Sequence, residues 1–123
     1  MSMQVSTEES VRLAAAAAAD KLADDIVAVD VTSVFALVDA FVLCTANNPR
    51  QADAVINEVE HRMRAAGAKR LTREGDPSSG WVLIDFGDVV VHVLLPEQRA
   101  EYGLERLWRD CPTIDLRRPE AAS

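Results

Sequence analysis

Cysteine is scarce in this chain, and its two occurrences are badly placed for chemistry. Cys44 sits inside an apolar run and Cys111 near the end, with neither metal-ligand spacing nor the density of a disulfide framework. Free thiols in a reducing compartment, and hence a cytoplasmic protein, are expected. Histidine is equally scarce: His61 lies in a charged stretch and His92 in an apolar one, and neither shares a local motif with a nucleophile. Basic residues number 13 against 20 acidic ones, a net charge of −7, which argues against broad contact with nucleic-acid phosphates. The small basic groups Arg62/Arg64, Lys69/Arg70/Arg73 and Arg117/Arg118 read as solvated edges, so direct RNA contact is expected to be minor or absent. Long apolar runs are missing too: Ala14 to Ala19 is too short and too weakly apolar to span a bilayer, and no basic leader precedes it, so neither membrane insertion nor export is expected. There is no glycine-rich phosphate loop. Asp85-Phe86-Gly87 spells the kinase magnesium motif, but the chain is too short for a kinase and lacks the companion motifs. Asp30 and Asp39, two separated carboxylates near strand ends, are the only candidates for a metal-dependent, nucleotide-binding or nucleotidyltransferase-like enzyme.

What remains suits one α/β domain over residues 1–123, with a core of about 7–114 and a loose tail at 115–123. Ser6 with Glu9 three residues on makes a capping box, and the alanine-rich run behind it predicts a helix to about Asp24. Ile26 to Val31 and Asp39 to Thr45 read as two strands joined through a turn at Thr32 and Ser33. Asn48-Pro49 supplies a cap and a first-turn proline for a second helix. Its core stripe is Ala52, Val55, Ile56, Val59 and Met63, and Gly67 is its stop. Lys69 to Arg73 is a candidate charged edge strand, Gly75 to Gly80 a loop, and the chain from Pro112 irregular.

The segment from Trp81 to Trp108 is the most specific part. Gly87-Asp88 between two β-rich runs predicts a hairpin with a two-residue type II′ turn, which pairs Leu83 with His92 and Trp81 with Leu94. Alternation places Val82, Ile84, Phe86, Val89, Val91, Val93 and Leu95 on an all-apolar face that must lie on a core. The opposite face carries Trp81, Leu83, Asp85, Val90, His92 and Leu94. Asp85 and His92 are diagonal neighbours there, open to two readings: a mutually satisfied pair at the rim of the core, or polar members of a half-exposed partner site with an aromatic anchor. After Pro96 the spacing becomes helical, with Ala100, Leu104, Leu107, Trp108 and Cys111 predicted inward and Arg99, Tyr102 and Glu105 on another side.

These residues carry a resemblance. Trp81, Asp85-Phe86-Gly87-Asp88, Val90-Val91-His92, Glu97-Gln98-Arg99, Tyr102, Leu104-Glu105 and Leu107-Trp108 together resemble the signature of the ribosomal silencing factor, or Iojap-related, family. Weaker similarity extends the match from about Lys21 to Ile114. Two departures are visible: Val38-Asp39-Ala40-Phe41 stands where the family has Thr-Asp-Tyr-Phe, and Thr45-Ala46 where it has Thr-Gly.

The resemblance implies a mixed sheet flanked by helices, nucleotidyltransferase-like but without catalytic residues, and no cofactor or metal. It also implies a partner, a basic protein of the large ribosomal subunit, universal protein fourteen, and a role in blocking subunit joining when nutrients are limiting or in stationary phase. The residues expected at the contact are Trp81, Leu83, Asp85, His92 and Leu94 on the sheet, with Glu97, Arg99 and Tyr102 from the following helix. An acidic domain with an aromatic-centred face suits a basic partner. Self-association through the same face, giving a homodimer when free of the ribosome, is a third reading.

Overall fold

The computed structural model describes residues 6–116 apart from 69, 104, 105, 107 and 108, with the side chain of Tyr102 also outside the description. The order is α1 (Thr7–Asp20), β1 (Asp24–Asp30), β2 (Ala40–Thr45), α2 (Pro49–Ala65), β3 (Thr72–Glu74), β4 (Trp81–Asp85), β5 (Val89–Leu94) and α3 (Pro96–Tyr102). The strands form one mixed sheet in the order β1-β2-β5-β4-β3, antiparallel except for the parallel pair β2 and β5. Those two strands are central and buried along their whole length, as parallel neighbours joined through a crossover helix must be.

Both long helices start where their caps predict. The Ser6 hydroxyl accepts from the Glu9 amide at 3.2 Å, and the Asn48 side chain accepts from the Gln51 amide at 2.8 Å. Helix α1 ends at Asp20, short of Asp24, because Leu22 turns into the left-handed region at φ 65. Gln51 braces that turn, its side-chain amide donating to the carbonyls of Lys21 and Leu22 at 3.0 and 2.9 Å. Arg62 of α2 then clasps the helices together, pairing with Asp20 of α1 and with Glu58 one turn back. Beneath them Val11, Ala14 and Ala18 of α1 and Val55, Ile56, Val59 and Met63 of α2 pack on Val42, Val82, Ile84, Val89, Val91 and Val93 of the sheet. The alanines keep α1 thin, which lets two helices sit side by side over five strands.

A smaller core lies on the other face, formed by Val29, Val31, Phe41, Leu43, Val90, Leu94 and Cys111 with Trp81 and Leu83 at its margin. The stretch after Cys111 is more ordered than its sequence suggests. Asp30 N–H donates to the Pro112 carbonyl and Ile114 N–H to the Ala28 carbonyl, each at 2.8 Å, so residues 112–114 cover the free edge of β1. The opposite edge, β3, is three residues long and begins at Thr72, with Arg70 and Leu71 before it outside the strand and Lys69 outside the described residues. The Gly75 to Gly80 loop contains a single 3-10 turn, with the Asp76 side chain accepting from the Ser78 and Ser79 amides at 2.9 and 3.1 Å. No helix among the described residues is long and apolar enough to cross a membrane.

Candidate partner-binding site

The hairpin of β4 and β5 has the register that its turn dictates: Asp85 opposite Val90, Ile84 opposite Val91, Leu83 opposite His92 and Trp81 opposite Leu94. Gly87 adopts φ 101 while Asp88 stays out of the left-handed region, as a type II′ turn requires. The Phe86 amide closes it by donating to the Val89 carbonyl at 2.9 Å. The all-apolar face lies on the two-helix core, so the mixed face points into the smaller one.

There His92 is 4 % exposed, and its hydrogen-bond partner is Trp81 rather than Asp85. The indole Nε1–H donates to His92 Nδ1 at 3.2 Å, which places the neutral ring's own proton on Nε2. Asp85 instead accepts from the Gly87 amide at 2.8 Å and so caps its own turn. Both residues are diagonal to His92 across the strands, but a neutral donor holds the buried imidazole without charging it, whereas a carboxylate would favour the imidazolium. Burial depresses the His92 pKa from 6.5 to about 4. Phe41 tilts against the same imidazole, ring centres 4.7 Å apart, and Phe35 follows at 5.1 Å from Phe41, making an aromatic row across the face.

The eight residues expected at a partner contact are therefore not equivalent. Trp81 and Leu83 are half-buried and line an open depression of about 210 Å³ with Glu74 and Gly75. Leu94 is fully buried and His92 nearly so, so neither presents surface; they lie opposite Trp81 and Leu83 in the register, and His92 holds the Trp81 indole. Asp85 is half-buried in the turn, and Glu97 is exposed in the first turn of α3. Arg99 is turned inward, against expectation, donating from Nη1 to the Thr45 hydroxyl at 3.1 Å and tying α3 to the end of β2. The helix is also short, capped at Gly103 with φ 54, and Ala100 is exposed rather than inward. The predicted places of Tyr102, Leu104, Glu105, Leu107 and Trp108 fall outside the described residues or side chains.

The rival carboxylates are drawn to the same end of the sheet, since Asp30 pairs with Ala40 beside Asp39, but each has a structural task. Asp30 accepts from the amide and hydroxyl of Thr32 at 2.9 and 2.7 Å, which holds its carboxyl below the usual range. Asp39 accepts from the Thr7 hydroxyl at 3.3 Å, and the same hydroxyl reaches Asp88 at 2.7 Å, fastening α1 to the hairpin turn. Among the described residues no group of three or more histidine, cysteine or acidic side chains could hold a metal ion. The Cys44 thiol, buried beneath the helices, is pushed up to about 12 by desolvation and is unreactive as a nucleophile.

Comparison with known proteins places this geometry. The model of the family described as "Ribosomal silencing factor during starvation" matches residues 4–123. The chain belongs to the ribosomal silencing factor family. A Bacillus subtilis member, a ribosomal silencing factor, is 40 % identical over 105 residues, covering 85 % of this chain and 89 % of its own. A crystal structure of a Chromobacterium violaceum protein superposes with a TM-score of 0.80 at 37 % identity, covering 86 % of this chain and 87 % of the other. A mouse relative named mitochondrial assembly of ribosomal large subunit protein 1 is 29 % identical over 89 residues, 70 % of this chain and 39 % of its own. Membership makes the protein a regulator of translation associated with the ribosome, built on the family's mixed sheet.

Proposed function

We propose that this protein represses translation by binding universal protein fourteen, a basic protein of the large ribosomal subunit, and standing where the small subunit would dock. The action is steric and not enzymatic, it takes place in the cytoplasm, and nutrient limitation or stationary phase is the setting. Family membership supports the ribosome as target, and the name of the mouse relative supports its large subunit. The observation that carries the site is the Trp81–Leu83 patch. Two large apolar side chains, Trp81 held by buried His92 and Leu83 beside it, stand half-buried in a depression that Glu74 also lines, on a chain with net charge −7. An apolar anchor with acidic groups around it complements a basic protein surface, the anchor slowing dissociation and the charge speeding encounter. Asp85 and Glu97 contribute to that acidic rim, Arg99 holds α3 in place, and Tyr102 extends the contact along the helix.

Co-sedimentation with purified large subunits tests this. Trp81→Ala, and Leu83→Ala beside it, should remain folded by circular dichroism yet bind the subunit at least about thirtyfold more weakly for the tryptophan, the equivalent of about 2 kcal/mol for a buried aromatic anchor. Folded variants that bind like the parent would refute the site.

A further inference from the structure

We propose that the cleft at the carboxyl ends of β2 and β5 binds a small phosphorylated polyol, a sugar phosphate or a ribonucleotide. Thr45 and Leu94 end these two parallel strands in register, the place where open α/β sheets take their ligands. Beside Thr45 the surface opens into a cleft of about 400 Å³, inside the span of about 300 to 1,000 Å³ common for small-molecule sites.

Two guanidinium groups meet there in a chain otherwise dominated by acid. Arg99 is fixed on one wall by its bond to the Thr45 hydroxyl. Arg106 is brought back by the left-handed Gly103, whose carbonyl accepts the Arg106 amide at 2.9 Å. Its side chain lies over that glycine, with Cδ and Nε each 3.7 Å from where a Cβ would stand. Asp25 faces them from β1. It occupies a bulge, the register shifting between Asp24 and Val27, and adopts φ 49. Aspartate is among the few non-glycine residues that adopt the left-handed conformation, and here the bulge delivers its carboxylate to the cleft.

This combination selects a ligand class. Guanidinium forks suit a phosphate dianion, while a carboxylate accepts hydrogen bonds from hydroxyls. A simple anion would meet Asp25 unfavourably and a cation would meet the two arginines, whereas a phosphorylated polyol answers both. Trp81, Leu83 and Glu74 do not line this cleft, and of the residues assigned to the ribosomal contact only Arg99 does.

The test is amide chemical-shift mapping on the full chain titrated with ribose 5-phosphate, inorganic phosphate or ribose. Saturable shifts at Thr45, Ala100 and Gly103 are expected with ribose 5-phosphate, weaker ones with phosphate, and none with ribose. Arg106 and Asp25 are both exposed, so their variants should fold. Arg106→Ala should weaken ribose 5-phosphate about tenfold, Arg106→Lys less, and Asp25→Asn should erase the preference over phosphate while keeping a side chain that tolerates the left-handed turn. Absence of saturable shifts at these amides, shifts untouched by Arg106→Ala, or ribose binding as well as its phosphate would overturn the proposal.

Discussion

A buried neutral imidazole leaves a mark on stability that can be measured. His92 titrates near 6.5 when unfolded but at about 4 in the fold, because burial penalises its charged form. The native state therefore binds the proton less readily than the unfolded chain does. Its contribution is intact above pH 6.5 and is lost progressively as the pH falls toward 4, by up to about 3 kcal/mol. Protonation at Nδ1 also expels the indole donor of Trp81, so acid should loosen the proposed docking patch along with the fold. Urea unfolding at pH 7.5 and pH 5.0 should show this loss in the parent. In His92→Gln, which keeps an acceptor but cannot titrate, most of the difference should vanish; an unchanged difference would mean that other groups are responsible. Asp20, Asp30, Glu58 and Asp76 have pKa values held below the ordinary carboxylate range, so their contributions disappear only at still lower pH.

At the scale of elements, the hairpin shows what a sequence can specify and where it stops. Gly87 fixes the turn, the turn fixes the register, and period-two alternation assigns every side chain of β4 and β5 to a face; all of this is local and was legible. Which diagonal neighbour His92 would choose was not, because Trp81 and Asp85 are symmetric in register and only sheet twist and the cap on Gly87 separate them. The inward turn of Arg99 was hidden for a similar reason: helical spacing gives faces, but it does not reveal that Thr45, 54 positions away, offers a partner. Residues 112–114 read as irregular in the sequence, because one edge-covering bridge leaves no periodic pattern. The two caps and the α2 stripe were legible because capping and amphipathic spacing act within a few residues. Two glycines test the backbone argument. At Gly87 a Cβ would meet only the Leu71 side chain at 3.5 Å, so Gly87→Ala should cost about 1 to 2 kcal/mol through its positive φ alone. At Gly75 the same Cβ would stand 2.2 Å from the Trp81 carbonyl oxygen, so β3 and β4 must separate. Gly75→Ala should therefore be the more destabilising in denaturant titrations, and the reverse order would contradict the packing described here.

Taken whole, the molecule divides its sheet between two tasks. One face is spent on stability beneath α1 and α2, and the other keeps a small core whose margin, Trp81 and Leu83, remains open. The chain's net charge of −7 favours a basic partner and makes encounter sensitive to salt. Association with the large subunit should accordingly slow as ionic strength rises, while dissociation, governed by the apolar anchor, changes little; surface-immobilised large subunits would resolve the two rates. On the proposed function, this patch keeps the ribosomal subunits apart. Light scattering of purified small and large subunits, mixed after the large subunit has been incubated with the protein, tests it most directly. The parent should abolish the rise in scattering that accompanies joining, and folded Trp81→Ala should largely restore it. Normal joining in the presence of saturating parent protein would contradict the account.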